Sequence, residues 1–181
     1  MRLKNEEDKM ANSKQNRPDT SPERLALLLD RMDITDVLCH YGSAIDRCSV
    51  DTNDAALALL ADCLTEDVVI DYGVGGIHRG RDAWIAFVRQ SAPHMGRTLH
   101  LYTNFIISVD DDTAHALFNV QATHMWEGER GPRFLIAGGT FEHDLRRTAN
   151  GWRISHIVLN AFFNNDPTGK LAELFPGPSP S

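Results

Sequence analysis

Asp46, His100, His124 and Tyr72 carry side chains that the apolar patterning around them does not require. A carboxylate, two imidazoles and a phenol are the ordinary tools of proton transfer. An imidazole takes or gives a proton near neutral pH, a carboxylate steadies a neighbouring cation, and a phenol donates a hydrogen bond. Each residue also has a plainer reading. At 100° per residue, Asp46 falls about 120° from Ile34, at the border of the helical stripe formed by Ile34, Val37, Leu38, Tyr41 and Ile45. It lies near a helix C-terminus, where the macrodipole raises its proton affinity. It therefore needs a donor or cation, or is a solvated helix-end residue paired with Arg47. His100 shares a strand face with Tyr102, Asn104 and Ile106, opposite Leu99, Leu101, Thr103, Phe105 and Ile107. Both faces are partly apolar, so His100 faces either a pocket or the surface. His124 ends the row Ala116, Phe118, Val120, Ala122, which suits a pocket wall or a satisfied core histidine. Tyr72 follows Val68 and Ile70; a buried phenol needs a partner, and it serves packing or proton donation.

The elements that must position these residues follow from periodicity. Ser21-Pro22-Glu23 reads as a helix start, followed by Leu25, Leu28, Leu29 and Met32 at helical spacing. Asp33 is placed to cap a second helix carrying Tyr41 and Asp46. A short helix runs from Asp54 to about Cys63, a strand covers Val68 to Tyr72, and a glycine-rich loop spans Gly73 to Gly80. Another helix covers Arg81 to Gln90. The period then changes to two, with strands over Thr98–Val109, Thr113–Trp126, Arg133–Arg146 and Trp152–Phe163. Asn150-Gly151 signals a hairpin with φ > 0 at both turn positions. A C-terminal helix, Lys170 to Phe175, is placed to close a mouth as a lid. Helices followed by long antiparallel strands predict an α+β fold, with the helices on one face of a curved sheet and a cone open at one end. Residues 1–20 and 176–181 read as disordered tails around a single domain, 21–175.

The 181 residues carry 18 Lys+Arg against 25 Asp+Glu, a net charge of -7 that argues against nucleic-acid binding. No apolar run approaches the roughly 20 residues that cross a bilayer, and the N-terminus lacks the apolar stretch of a secretory signal. A cytoplasmic protein is expected. Cys39, Cys48 and Cys63 read as free thiols. No His-Glu-x-x-His, zinc-finger spacing or EF-hand loop is present, so no metal is expected. The glycines at 73, 75 and 76 lack the third glycine of a dinucleotide loop, and there is no Gly-x-Ser-x-Gly.

Tyr41-Gly-Ser-Ala-Ile-Asp46-Arg, Val69-Ile-Asp71-Tyr72, Thr98-Leu-His100, His124 and Asn150-Gly-Trp152-Arg-Ile together resemble the SnoaL-like branch of the NTF2-like superfamily, over about Asp33 to Phe163. That branch includes scytalone dehydratase, bile-acid 7α-dehydratase and hexachlorocyclohexane dehydrochlorinase. The resemblance implies an NTF2-like cone-shaped barrel, with a curved antiparallel sheet wrapped around N-terminal helices. It also implies an Asp46–His100 dyad at the mouth, His124 as a second histidine, and Tyr72 and Tyr41 as site tyrosines. Ile45 stands where scytalone dehydratase has a second tyrosine, and Gly138 and Thr140 where it has polar residues. Relatives with this dyad form trimers, so a homo-oligomer is expected, a trimer before a dimer; an outward face bearing Leu99, Leu101, Phe105 and Ile107 would itself be too apolar for water.

These residue types suit elimination beside a carbonyl, which needs a base and a donor for the departing oxygen. His100 takes the proton, Asp46 orients and stabilises the imidazolium, and Tyr72 and His124 polarise a carbonyl or protonate the leaving hydroxyl. Neither metal nor organic cofactor is required. Trp84, Phe118, Val120, Phe134 and Phe162 as lining imply a small, apolar, cyclic substrate. The expected activity is a dehydratase-type lyase. Isomerisation or cyclisation of a polyketide, steroid or terpenoid by the same dyad is the alternative. A non-catalytic module binding a small molecule or partner is the third reading, and it predicts Asp46 and His100 beyond hydrogen-bonding distance.

Overall fold

A computed structural model describes residues 21–73, 76–129 and 131–166. The tails at 1–20 and 176–181 and the C-terminal helix expected at Lys170–Phe175 lie outside the described residues.

The chain starts with one long helix, α1 (Pro22–Val50), where sequence periodicity predicts two. Ser21 caps it by accepting from the Arg24 amide, with proline in the first turn. Nothing breaks the backbone at Asp33, which is exposed. The two apolar stripes have different fates. Ile34, Leu38, Tyr41, Ala44 and Cys48 are buried against the sheet, whereas Leu25, Leu28, Leu29 and Met32 remain exposed. A short helix α2 (Asp54–Ala61) follows, capped by Asn53.

Strand β1 (Leu64–Asp71) leads to β2 (Ile77–Arg79), a short antiparallel partner inside the segment expected to be loop. Helix α3 (Arg81–Ser91) and a 3₁₀ turn (Ala92–His94) precede four long strands. These are β3 (Arg97–Asp110), β4 (Thr113–Trp126), β5 (Arg133–Thr148) and β6 (Gly151–Asn164). The sheet order is β2-β1-β6-β5-β4-β3. Every pairing is antiparallel except β1 with β6, which is parallel. At the β5–β6 hairpin only Gly151 takes a positive φ, 91°; Asn150 does not, so a single left-handed residue makes the turn.

The ambiguity of β3 resolves at Asn104. This residue adopts φ 58°, and the β3–β4 register shifts between Thr103 and Ile106. Before the bulge His100 and Tyr102 face inward while Leu99 and Leu101 are exposed. After it Phe105 and Ile107 face inward while Ile106 is exposed. The extra residue moves the inward set by one position, so no single alternation describes this strand. Asparagine is among the few residues that tolerate the left-handed region. Asn104→Val should therefore cost on the order of 1–2 kcal/mol in urea unfolding, and Asn104→Gly should be near neutral.

The core lies between α1 and α2 and the inner face of the sheet, with Trp152, Tyr41, Phe118 and Phe141 among its largest fully buried side chains. Gly42 lets the helix approach β3: a Cβ there would come within 2.8 Å of the Tyr102 ring. Among the described residues no helix is long and apolar enough to cross a membrane.

Candidate active site

The last turn of α1 and the first residues of β3 are joined by hydrogen bonds. Asp46 Oδ1 accepts from the Thr98 hydroxyl at 2.8 Å and lies 2.7 Å from His100 Nδ1, while Oδ2 accepts from the His100 amide at 3.0 Å. The Ser49 hydroxyl donates to the Asp46 carbonyl and accepts from the Thr98 amide. Burial pushes the Asp46 carboxyl up. The hydrogen bonds and charge of His100, with the Thr98 hydroxyl, outweigh this and hold it below the ordinary aspartate value. Asp46 is thus an anion with three donors. A carboxylate accepts, so His100 Nδ1 carries a proton toward Asp46 and Nε2 is the ring nitrogen that Asp46 leaves open.

His124 is buried at the far end of its β4 row. Its Nδ1 lies 3.1 Å from the Met95 carbonyl oxygen. Burial, with a smaller contribution from His100, pulls its pKa below the usual histidine value, so the neutral ring dominates near pH 7. A carbonyl only accepts, so Nδ1 is the protonated nitrogen. The two imidazole centroids are 6.4 Å apart.

Tyr72 lies just beyond β1, on the opposite edge of the sheet from β3. Its hydroxyl is 3.1 Å from that of Tyr41. Burial pushes the Tyr72 phenol well above the usual tyrosine value, so its hydroxyl stays neutral. Tyr41 is completely buried behind it and does not line the cavity.

These groups open on one cavity of about 500 Å³, walled mainly by apolar side chains. His100, His124, Tyr72, Trp84 and Val120 line it. Three expected lining residues do not. Phe118 belongs to the core, packed against Tyr102, Phe105 and Phe141. Phe134 is 54% exposed, because on β5 the inward positions are Leu135, Ala137 and Phe141. Phe162 is 68% exposed, left out of register where Phe163 pairs with Gly138 and Ala161 with Gly139. Phe87 and Phe141 supply the aromatic walls instead. Sequence reasoning also missed Thr98 and Ser49. The signal was present: Thr98 precedes His100 by two on a strand, and Ser49 follows Asp46 by three on a helix, so each shares a face with its neighbour. Among the described residues no group of His, Cys, Asp and Glu is placed to hold a metal ion.

N-terminal helices packed on a curved, unclosed six-stranded sheet make this an NTF2-like fold. A SnoaL-like domain profile matches residues 26–158, and the chain belongs to the SnoaL-like family. The chain is similar to the uncharacterized protein Rv2910c of Mycobacterium tuberculosis, 31% identical over 149 residues that span 80% of this chain and 94% of that one. Among solved structures it resembles the Kfla4162 protein of Kribbella flavida, with TM-score 0.69, 23% identity and coverage of 82% and 98%. It also resembles LinA, with TM-score 0.66, 17% identity and coverage of 81% and 95%. A Novosphingobium aromaticivorans protein assigned provisionally as a scytalone dehydratase gives TM-score 0.66, 21% identity and coverage of 77% and 88%. A hexachlorocyclohexane dehydrochlorinase and the provisionally assigned scytalone dehydratase therefore share this fold.

Proposed function

We propose that this chain is a cofactor-independent lyase that eliminates water from a small, apolar, cyclic β-hydroxy carbonyl compound. The observation that carries this reading is the 2.7 Å contact between Asp46 and His100 Nδ1, which leaves His100 Nε2 as a base beside an apolar cavity. A module that only binds was expected to hold the two side chains beyond hydrogen-bonding distance, and the contact counts against that reading.

In the proposed reaction Tyr72 donates to the substrate carbonyl oxygen. His100 Nε2 takes the hydrogen α to that carbonyl, and the electron pair of the broken C–H bond passes into the enolate. Asp46 stabilises the imidazolium so formed. The enolate re-forms the carbonyl and a C–C double bond as the β C–O bond breaks, and His100 returns its proton to the departing hydroxide. Water leaves and the protein is restored. Incubation with a panel of cyclic β-hydroxy ketones, read by enone absorbance, tests this. Turnover by the wild type that is lost in His100→Gln is expected; no turnover across the panel would reject the reading.

We further propose a homo-oligomer, a trimer in the first instance, in the cytoplasm. The outer face of the sheet supports it, because Leu99, Leu101, Phe134 and Phe163 are all about half exposed there. Light scattering should give a multiple of the 20.2 kDa chain mass at micromolar concentration, and Leu101→Lys should shift it toward monomer. A wild-type monomer would refute the assembly.

A further inference from the structure

The three donors to Asp46 are not evenly shared. The Thr98 hydroxyl reaches Oδ1 at 2.8 Å and His100 Nδ1 reaches the same oxygen at 2.7 Å, whereas Oδ2 takes the His100 amide at 3.0 Å. Thr98 therefore competes with the imidazole for one oxygen. A hydrogen bond donated to a carboxylate draws on its negative charge and leaves less of it for the other donor there. Burial raises the Asp46 carboxyl; His100, and Thr98 after it, bring it below the ordinary aspartate value. The place of Thr98 does not depend on its own hydroxyl. The Ser49 hydroxyl accepts from the Thr98 amide at 3.0 Å and donates to the Asp46 carbonyl at 2.7 Å. Two other titratable rings face the imidazole: Tyr102 from β3 and His124 from β4, at centroid distances of 6.3 and 6.4 Å. Burial keeps the first neutral and favours the neutral form of the second, so of these groups Asp46 supplies the charge.

From this we infer that Thr98 is a positioning residue that tempers the dyad: by occupying Oδ1, its hydroxyl sets how strongly Asp46 draws on the Nδ1 proton of His100. Without the hydroxyl, Oδ1 has one donor left. The Nδ1–H bond to it tightens, electron density passes into the ring, and Nε2 becomes the stronger base. A purely structural Thr98 predicts the opposite, because cutting a brace loosens the contact it braces. The catalytic meaning rests on the elimination reading; the competition for one oxygen is a property of the resting protein.

The test uses the full chain with ¹⁵N-labelled histidine rings, read through their carbon-bound protons so that solvent exchange does not erase the signal. Spectra are taken at mildly alkaline pH, where an ordinary imidazole is neutral. The His100 resonances are assigned by their loss in His100→Gln. Thr98→Val keeps the β-branched shape that suits a strand and removes only the hydroxyl. In it the protonated Nδ1 resonance of His100 should move downfield, the direction of a stronger hydrogen bond, and Thr98→Ser should return it toward the wild-type position. Thr98→Ala, which should move it the same way, serves if the valine variant does not fold. A resonance that stays in place, moves upfield, or is not restored by serine overturns the inference. With any hydroxy ketone that is turned over, the acidic limb of the kcat/KM profile should move to higher pH in Thr98→Val, and a move to lower pH overturns it equally. The downfield shift in a protein that turns over no hydroxy ketone keeps the inference and rejects the elimination.

Discussion

Asp46→Asn is expected to leave a folded protein whose turnover is lower by a factor on the order of 10²–10⁴, the range of a positioned acid–base function. Asparagine keeps one oxygen to accept from Thr98 or His100, but its amide turns a donor toward other donors. Unfolding free energy should fall by about 1–2 kcal/mol, well short of unfolding the chain. The larger loss is kinetic: the imidazolium formed at His100 no longer has its counter-charge, and its tautomer is no longer fixed. His100→Gln should lose activity comparably, and the double variant should be little worse than either single, because residues acting as one unit are not additive. Losses that multiply would show two independent residues and no dyad.

A second large effect concerns His143, on the inner face of β5. It is fully buried among the rings of Tyr41, Phe118 and Phe141, and neither ring nitrogen has a hydrogen-bond partner among the described residues. Burial, with smaller contributions from His156 and His115, pushes its pKa from 6.5 down to about 3. A histidine lowered in the folded state binds its proton first in the unfolded chain. Its contribution is therefore neutral above about pH 6.5 and grows more destabilising as pH falls toward 3. At pH 4.5 the loss relative to pH 7.5 should be about 2–3 kcal/mol. His143→Phe keeps the aromatic contacts and cannot take a proton. Urea unfolding of both proteins at pH 7.5 and 4.5 should therefore give a wild-type decrease larger by that amount. Parallel decreases would mean that the imidazole is protonated or hydrated inside the fold.

Much of the architecture was legible because it depends on local chemistry. Long runs with period two set β3 to β6, and the inward row from Ala116 to His124 identified its own pocket end. The single helix α1 was obscured because the exposed Leu25–Met32 stripe looks as apolar as the buried one; exposure is a tertiary outcome that helical spacing does not carry. β3 was ambiguous because the bulge at Asn104 divides it into two frames. Phe134 and Phe162 illustrate the same limit from the other side. Their hydrophobicity suggested a pocket lining, whereas strand parity and the β6 irregularity turn them outward. The family resemblance placed Asp46 and His100 in a common site; the hydrogen-bonding neighbours Thr98 and Ser49 needed the helix end and the strand start to be brought together.

The clasp between the end of α1 and the start of β3 has a consequence for how such a protein diversifies. Asp46, Ser49, Thr98 and His100 hold one another in place before anything is bound. The apolar walls of the cavity come chiefly from other segments: Trp84, Phe87 and Val88 from α3, Val120 and Ala122 from β4, Phe141 from β5 and Leu159 from β6. In the proposed elimination, reagent and mould are therefore separate parts of the chain. Drift in the mould can admit a new molecule while the reagent stays set, so one scaffold can be handed from substrate to substrate without relearning its chemistry.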